Sequence, residues 1–210
     1  MLELRGIKKV FDGISVLNGV NISFQRGKKL GLSGGNGTGK STLLNIATGF
    51  LSFEEGLISL NGKDVTHFEA WKLSRLGIKR TFQKVRFNEA LIIKDQLYSN
   101  DNIIDKNMSM LEESGIVDYF YSFPNEVPLP ILRKVEVARA LLDSPEYIFL
   151  DEPSAGMAAN DLHDFGKFLT KFIESHTCLV VVEHRLELMQ IIDAEILGLR
   201  EGQLVNGISL

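Results

Sequence analysis

A glycine-rich segment in the first quarter of the chain has the composition and spacing of a phosphate-binding loop, since residues Gly34–Ser41 read GGNGTGKS. Its glycines allow the backbone to wrap so that successive N–H groups point at phosphate oxygens, and a helix that follows the loop adds partial positive charge. Lys40 is expected to reach the β- and γ-phosphates of a nucleotide, Ser41 to ligate Mg²⁺ and Thr42 to support the neighbouring phosphates. The predicted site for Mg-ATP therefore consists of Gly34, Gly35, Asn36, Gly37, Thr38, Gly39, Lys40, Ser41 and Thr42.

Two adjacent carboxylates, Asp151 and Glu152, follow the apolar run Tyr147–Leu150. Side chains at the carboxyl end of a strand open onto the ligand crevice of an α/β sheet. Asp151 is expected to hold Mg²⁺ through its water shell, and Glu152 to orient and polarise the water that attacks the γ-phosphate. An acidic pair after a strand is more often a turn or a helix cap when it stands alone. The phosphate-binding loop in the same chain favours the catalytic interpretation.

Two further polar side chains follow apolar runs that read as strands. The His184 imidazole is predicted to lie beside the γ-phosphate as a donor and sensor. The Gln83 amide is predicted to contact Mg²⁺ or the attacking water. Each would be unremarkable alone, because a lone histidine is usually structural and a lone glutamine usually faces solvent. The other histidines, His67, His163 and His176, have no such setting and are expected on the surface or in packing.

These residues require an alternation of strands and helices that brings them to one edge of a sheet. The predicted strands are Leu2–Val10, Val16–Phe24, Lys28–Leu32, Gly56–Leu60, Ile78–Phe82, Tyr147–Leu150, Cys178–Val182 and Ala194–Leu199. The predicted helices are Lys40–Thr48, Glu69–Leu76, Ile131–Leu142, Asn160–Ser175 and Leu186–Ile192. The segment Lys84–Val127 is polar and reads as an insertion of short helices such as Asp105–Ser114. The predicted fold class is α/β, with a mostly parallel core sheet, an antiparallel β edge and a small helical subdomain.

Bulk composition excludes some functions. The 210 residues carry a formal net charge of −4, which argues against a nucleic-acid-binding protein that needs a basic surface. The single cysteine, Cys178, lies in an apolar run and reads as a buried strand residue in a reducing compartment. The start of the chain lacks a signal-peptide pattern, and no apolar run approaches the roughly 20 residues that span a bilayer. We therefore expect a cytoplasmic protein that contacts a membrane only through partners.

The order of these motifs resembles the ATP-binding-cassette (ABC) transporter ATPases over essentially the whole chain. The resemblance rests on Gly34–Thr42, Gln83, Val135–Leu142, Asp151–Ser154 and His184. Residues 74–83 and 151–157 look most like the branch that serves branched-chain amino-acid-type importers. The resemblance implies one P-loop domain over residues 1–210, with an α/β core of residues 1–83 and 143–210 and a helical subdomain of residues 84–142.

The resemblance also implies a mechanism and partners. Phe11 matches the aromatic residue that stacks on adenine, although an ordinary core phenylalanine is the alternative. Two such subunits bind two ATP molecules head to tail between them, and their closure and reopening move a separate membrane permease. The subunit is then peripheral, on the cytoplasmic face of the plasma (inner) membrane. Lys84–Val127 is predicted to be the docking surface for the permease.

The chain departs from the family at the signature, usually Leu-Ser-Gly-Gly-Gln, which contacts the partner's ATP. Alignment on Val135 and Glu136 places the sequence VPLPI, residues 127–131, at those five positions. The serine and both glycines are missing, and Pro128 and Pro130 have no N–H to offer a γ-phosphate. The following helix can still form, because proline is tolerated in a first turn. We therefore predict an asymmetric pair with a different ATPase whose signature is intact.

Three other functions are compatible with parts of the pattern. A non-transport cassette ATPase of repair, chromosome organisation or translation usually has two cassettes, coiled-coil insertions or zinc-binding cysteines, which are missing here. A regulatory half that binds ATP with little hydrolysis is favoured by the degenerate signature but not by Glu152 and His184. A small-molecule kinase is disfavoured because Glu152 beside Asp151 suits activation of water.

Overall fold

The structure is a computed structural model that describes residues 1–84, 86–97 and 101–206. The strands are β1 Leu2–Phe11, β2 Ile14–Phe24, β3 Lys29–Ser33, β4 Glu55–Leu60, β5 Lys63–Asp64, β6 Ile78–Arg80, β7 Tyr147–Asp151, β8 Cys178–Val182, β9 Glu195–Arg200 and β10 Gln203–Asn206. The helices are α1 Lys40–Ala47, α2 Ala70–Arg75, α3 Ile93–Gln96, α4 Asp101–Lys106, α5 Met108–Glu113, α6 Leu129–Leu141, α7 Ala159–Phe172 and α8 Leu186–Ile191. Short 3₁₀ turns occur at Val117–Tyr119 and Pro124–Glu126.

The core sheet has six strands in the order β10-β9-β3-β8-β7-β6. The contacts among β9, β3, β8, β7 and β6 are parallel, and only β10 pairs antiparallel to its neighbour. Every residue of β7 and β8 is buried, as expected for a parallel sheet covered on both faces. Leu32 and Asp151 both pair with Val182, so the carboxyl ends of β3, β8 and β7 meet. The predicted α/β fold with a mostly parallel core is confirmed.

A second sheet, of order β2-β1-β4-β5, is antiparallel and forms the predicted β edge. One apolar cluster lies between the two sheets around α1 and includes Leu2, Leu43 and Phe149. The rings of Phe24 and Phe149 meet edge to face at 5.1 Å, joining the sheets. Alternate residues of β7 point to opposite faces, so Ile148 belongs to a different cluster from Phe149.

That other cluster joins the core sheet to the helices. It includes Leu111, Val135 and Phe165, from α5, α6 and α7. Among the described residues of the predicted insertion, the regular elements are the short helices α3, α4 and α5 and the two 3₁₀ turns. The exact division of the chain at residues 83 and 142 stays a prediction. No helix among the described residues is long and apolar enough to cross a membrane.

Several predicted boundaries were wrong. The helix predicted over Asp105–Ser114 is two helices, because the chain leaves helical geometry at Asn107 (φ −107°, ψ 11°). Helix α6 begins at Leu129 rather than Ile131, because Pro128 caps it and Pro130 fits its first turn. The predicted strand Ile78–Phe82 stops at Arg80. Strands β5 and β10 were not predicted, since they are short and carry little apolar alternation.

Candidate functional site

The phosphate-binding loop runs from the end of β3 to the start of α1, as the sequence predicts. Gly39 immediately precedes α1 and has φ +101°, a conformation that L side chains rarely adopt. A Cβ atom there would lie 2.9 Å from Leu17 Cδ2 and 3.0 Å from the Val16 carbonyl oxygen. The loop can therefore pass this close to β2 only with glycine at position 39.

Lys40 is buried inside the loop that it follows. Its Nζ donates hydrogen bonds to the carbonyl oxygens of Gly34 at 2.9 Å and Gly35 at 2.8 Å. Burial lowers the pKa of Lys40, while the charges of Glu152 and Asp151 oppose that shift. The ammonium group is thus held at the centre of the loop, where it can meet phosphate oxygens.

Asp151 lies at the carboxyl end of β7, beside the first turn of α1. The Ser41 hydroxyl donates to Asp151 Oδ1 at 3.3 Å, and Arg80 Nη2 lies 3.3 Å from Oδ2. Burial raises the pKa of the Asp151 carboxyl, and the Arg80 charge opposes the rise. Hydroxyl and carboxylate oxygens are the ligands that Mg²⁺ prefers, and these two can face one cation. The described residues contain no group of three or more His, Cys, Asp or Glu side chains that could hold a metal ion.

Glu152 is contacted by Gln83 and His184, the two polar side chains that were predicted to respond to the γ-phosphate or its attacking water. Gln83 Nε2 donates to Glu152 Oε2 at 2.7 Å, and His184 Nε2 lies 3.3 Å from Oε1. The Glu152 backbone has φ +45°, and its N–H donates to the Val182 carbonyl oxygen at 2.9 Å. Such left-handed geometry is uncommon outside glycine and concentrates at functional sites. The three side chains are in contact with one another through the Glu152 carboxylate, at the end of β7 and β8.

A cavity of about 250 Å³ joins the loop to this group. It is lined by Phe11, Val16, Asn36, Gly37, Gly39, Lys40, Ser41, Thr42, Glu152 and His184. Phe11 is 41% exposed, so it is not an ordinary core phenylalanine, and the Lys9 ammonium lies 5.0 Å from its ring centroid. Asp151 and Gln83 join the site through Ser41 and Glu152. The structure thus brings together the site residues predicted from every part of the chain.

Sequence reasoning missed Arg80, which is buried behind Asp151. Its Nη1 donates to Asn45 Oδ1 at 2.6 Å and Thr48 Oγ1 at 3.2 Å, and its guanidinium lies 4.5 Å from the Phe82 ring centroid. Arg80 therefore connects α1, β6 and the carboxylate of β7. The signal that could have identified Arg80 in the sequence was a basic residue at the end of a short strand.

Sequence reasoning also missed Glu183, a buried carboxylate between β8 and His184. Its Oε1 accepts hydrogen bonds from Ser154 N–H at 2.9 Å and Ser154 Oγ at 2.5 Å. Its Oε2 accepts the backbone N–H groups of His184 at 3.0 Å and Arg185 at 3.3 Å. Glu183 thereby fixes the turn after Glu152 relative to the histidine.

The segment Val127–Ile131, aligned with the family signature, includes the first turn of α6. The Val127 N–H donates to the Pro124 carbonyl at 3.3 Å and the Ile131 N–H to the Pro128 carbonyl at 3.0 Å. Leu129 is partly exposed, and its Cδ2 lies 3.0 Å from where a Cβ at Gly156 would stand. The helix forms despite two prolines, and the segment is apolar.

Comparison with known proteins gives consistent results. The family model described as ABC transporter matches residues 17–155. The chain is 27% identical to the high-affinity branched-chain amino acid transport ATP-binding protein BraF of Pseudomonas aeruginosa, over 96% of this chain and 89% of that protein. It is 30% identical to the probable branched-chain amino acid transport ATP-binding protein LivG of Methanocaldococcus jannaschii, over 90% of this chain and 82% of that protein. A solved ATP-binding cassette of an ABC transporter, in its ADP conformation, superposes with a TM-score of 0.86 at 28% identity, covering 98% of this chain and 89% of that one.

Proposed function

This chain belongs to the ABC transporter family, and we propose that it powers the import of branched-chain amino acids or similar solutes as one half of an asymmetric ATPase pair. It is an ATP-binding and ATP-hydrolysing subunit that acts on a separate membrane permease. The observation that carries the proposal is the Glu152 carboxylate, bound by Gln83 and His184 beside the Lys40 loop.

The roles of the site residues follow from their positions. The backbone of the loop and Lys40 bind the phosphates, and Phe11 stacks on the base. Ser41 and Asp151 would hold Mg²⁺, which would neutralise phosphate charge when bound. Glu152 accepts a proton from the attacking water, since its carboxylate is fixed by two partners.

Gln83 and His184 orient Glu152 in this proposal and respond to the γ-phosphate. Each contacts a different oxygen atom of the carboxylate. A change at the phosphate can therefore reach Glu152 from two sides. A regulatory half without hydrolysis would not need this arrangement, and for that reason we favour a hydrolytic subunit.

The asymmetry is supported by the apolar segment at the start of α6. Pro128 and Pro130 have no N–H, and the N–H groups of Val127 and Ile131 are engaged within the chain. Each hydrogen bond to a charged oxygen contributes about 1.5–3 kcal/mol, so losing two or three slows a site by orders of magnitude. The chain retains the phosphate-binding loop, Asp151 and Glu152, which hydrolysis needs. A partner with an intact signature would complete that competent site.

Docking of the permease is proposed on the helical insertion and the groove beside it. Tyr121, in the insertion, is 80% exposed. The adjacent groove has a volume of about 680 Å³, and Phe50, Trp71 and Phe82 are among its lining residues. Exposed aromatic side chains of this kind mark protein interfaces. Docking there would hold the subunit at the cytoplasmic face of the membrane.

The proposal is tested by purifying the tagged subunit from gently extracted membranes and identifying the proteins that co-purify. We expect permease subunits and a second ATPase with an intact signature. The purified and reconstituted assembly is expected to couple ATP hydrolysis to uptake of leucine, isoleucine or valine. Co-purification without a permease, or uptake of an unrelated solute only, would contradict the respective part of the proposal.

A further inference from the structure

Two charged residues of α6, Arg133 and Glu136, bind the backbone of the loop that carries Gln83. Arg133 Nη1 donates to the Phe82 carbonyl oxygen at 3.1 Å, and Nη2 donates to the Gln83 carbonyl oxygen at 2.6 Å. The Phe82 N–H donates to Glu136 Oε1 at 3.2 Å. An ion pair of 3.2 Å between Arg133 and Glu136 completes this group, which we call the loop clamp.

The loop clamp is deeply buried, with side-chain exposures of 5% for Arg133 and 3% for Glu136. The Arg133 Nε is buried and has no hydrogen-bond partner among the described residues. Burial also raises the pKa of Glu136, because desolvation disfavours its charged form. A buried ion pair with an unsatisfied donor is often no more stable than apolar residues of the same volume. Stability alone therefore does not explain why charges occupy this position.

The specific effect of the loop clamp is geometric. Three backbone groups, the N–H and C=O of Phe82 and the C=O of Gln83, are fixed by two side chains of one helix. The side chain of the same Gln83 then donates to Glu152 Oε2 at 2.7 Å. A continuous path of hydrogen bonds and covalent bonds thus runs from α6 to the carboxylate that activates water.

We infer that Arg133 and Glu136 are positioning residues for ATP hydrolysis, which hold Gln83 so that its amide aligns Glu152. The inference rests on the roles proposed above for Gln83 and Glu152. Neither residue of the loop clamp lines the nucleotide cavity, so the clamp acts on turnover and not on ATP binding. A misplacement of about 1 Å at a catalytic group is enough to cost up to a hundredfold in rate.

The test uses Arg133→Met in the assembled transporter, with Lys134→Met as the matched control. Lys134 is the next residue on α6, and its Nζ donates to the Ser114 carbonyl at 3.2 Å, away from the Gln83 loop. Each substitution is made in the wild-type chain and in the Gln83→Ala chain. The kcat for ATP hydrolysis, the KM for ATP and the unfolding temperature are measured for all variants.

We expect Arg133→Met to lower kcat about tenfold or more and to change KM less than about twofold, whereas Lys134→Met changes neither. In the Gln83→Ala chain, Arg133→Met should cause no further loss, because the residue through which it acts is already missing. Arg133→Lys should not restore kcat, since one ammonium group cannot replace the two-pronged guanidinium.

If Arg133→Met does not fold, the double variant Arg133→Met with Glu136→Leu replaces the pair without leaving a lone buried charge. The same kinetic pattern is expected from it. The inference would be overturned if Arg133→Met lowered kcat by the same factor in the wild-type chain and in the Gln83→Ala chain. It would also be overturned if Arg133→Met left kcat unchanged. An unchanged kcat in Gln83→Ala alone would instead refute the proposed role of Gln83, and the inference would fall with it.

Discussion

Gln83 Nε2 lies 2.7 Å from Glu152 Oε2, although the two residues are 69 positions apart in the sequence. His184 Nε2 lies 3.3 Å from the other oxygen of the same carboxylate. Because each oxygen has its own partner, the carboxylate has a defined orientation. A carboxylate fixed in this way can accept a proton from water in one geometry, which is what an in-line attack on the γ-phosphate requires.

Glu152→Gln is expected to keep ATP affinity and to lose turnover in the assembled transporter. The amide has the same shape as the carboxylate but cannot accept the proton, so kcat should fall by about a hundredfold or more. Binding of a fluorescent ATP analogue and steady-state hydrolysis provide the two measurements. Glu55→Gln, at an exposed position on β4, is the control. Turnover equal to wild type would refute the assignment of Glu152 as general base.

Lys40→Ala is expected to lower the affinity for ATP itself, unlike Glu152→Gln, which lowers turnover and keeps affinity. The Lys40 ammonium is held inside the loop by the Gly34 and Gly35 carbonyl oxygens, where it meets the phosphates in the ground state. A loss of about tenfold or more in ATP affinity is expected, whereas Lys63→Ala on β5 should have no effect. Titration by calorimetry distinguishes these outcomes. Unchanged affinity in Lys40→Ala would remove the lysine from the binding site.

Phe11→Ala is expected to weaken ATP binding about tenfold without lowering the unfolding temperature. Loss of base stacking costs about 1–1.5 kcal/mol, and the ring is too exposed to contribute much to the core. Phe11→Tyr keeps the stacking face and should bind as wild type does. The comparison of ATP with a ribose triphosphate that has no base provides a second measurement. Phe11→Ala should weaken binding of ATP but not of the base-free compound, and equal losses for both would contradict stacking.

Gly39→Ala is expected to destabilise the phosphate-binding loop more than Gly62→Ala destabilises its turn. Both positions have positive φ, so each substitution costs about 1–2 kcal/mol of backbone strain. At Gly39 a Cβ would also overlap Leu17 and the Val16 carbonyl, whereas at Gly62 it would meet nothing within 4 Å. Thermal unfolding with and without ATP measures the difference. Equal shifts in unfolding temperature for the two variants would contradict the close approach of the loop to β2.

The sequence predicted those parts of the site whose functional groups are close together in the chain. The phosphate-binding loop carries its own glycines and lysine, and Asp151 and Glu152 directly follow the apolar run Tyr147–Leu150, so neither motif needed information from distant residues. Phe11 and Val135–Leu142 were interpreted through the family resemblance and not through local patterns. Helix α6 was placed two residues late because the first-turn proline was read as preceding the helix.

The residues that sequence reasoning missed depend on strand order and helix packing. Arg80 meets Asp151 because β6 lies next to β7, and the two residues are 71 positions apart. Arg133 meets the Phe82 and Gln83 carbonyls from 51 and 50 positions away. No local pattern marks such pairs, since the partner atoms of Arg133 are backbone carbonyls that every residue has. Their burial became visible only in the structure.

The central claim is that this subunit supplies the phosphate-binding and catalytic side of one competent site, which a different ATPase completes with its own signature. The most direct test measures ATP hydrolysis by the purified chain alone and after addition of its partner ATPase, with ATP-driven association followed by light scattering of the Glu152→Gln variant. We predict negligible turnover and no ATP-dependent homodimer for the chain alone, and both turnover and a heterodimer with the partner. Robust turnover by the isolated chain, together with an ATP-dependent homodimer of its Glu152→Gln variant, would contradict the claim.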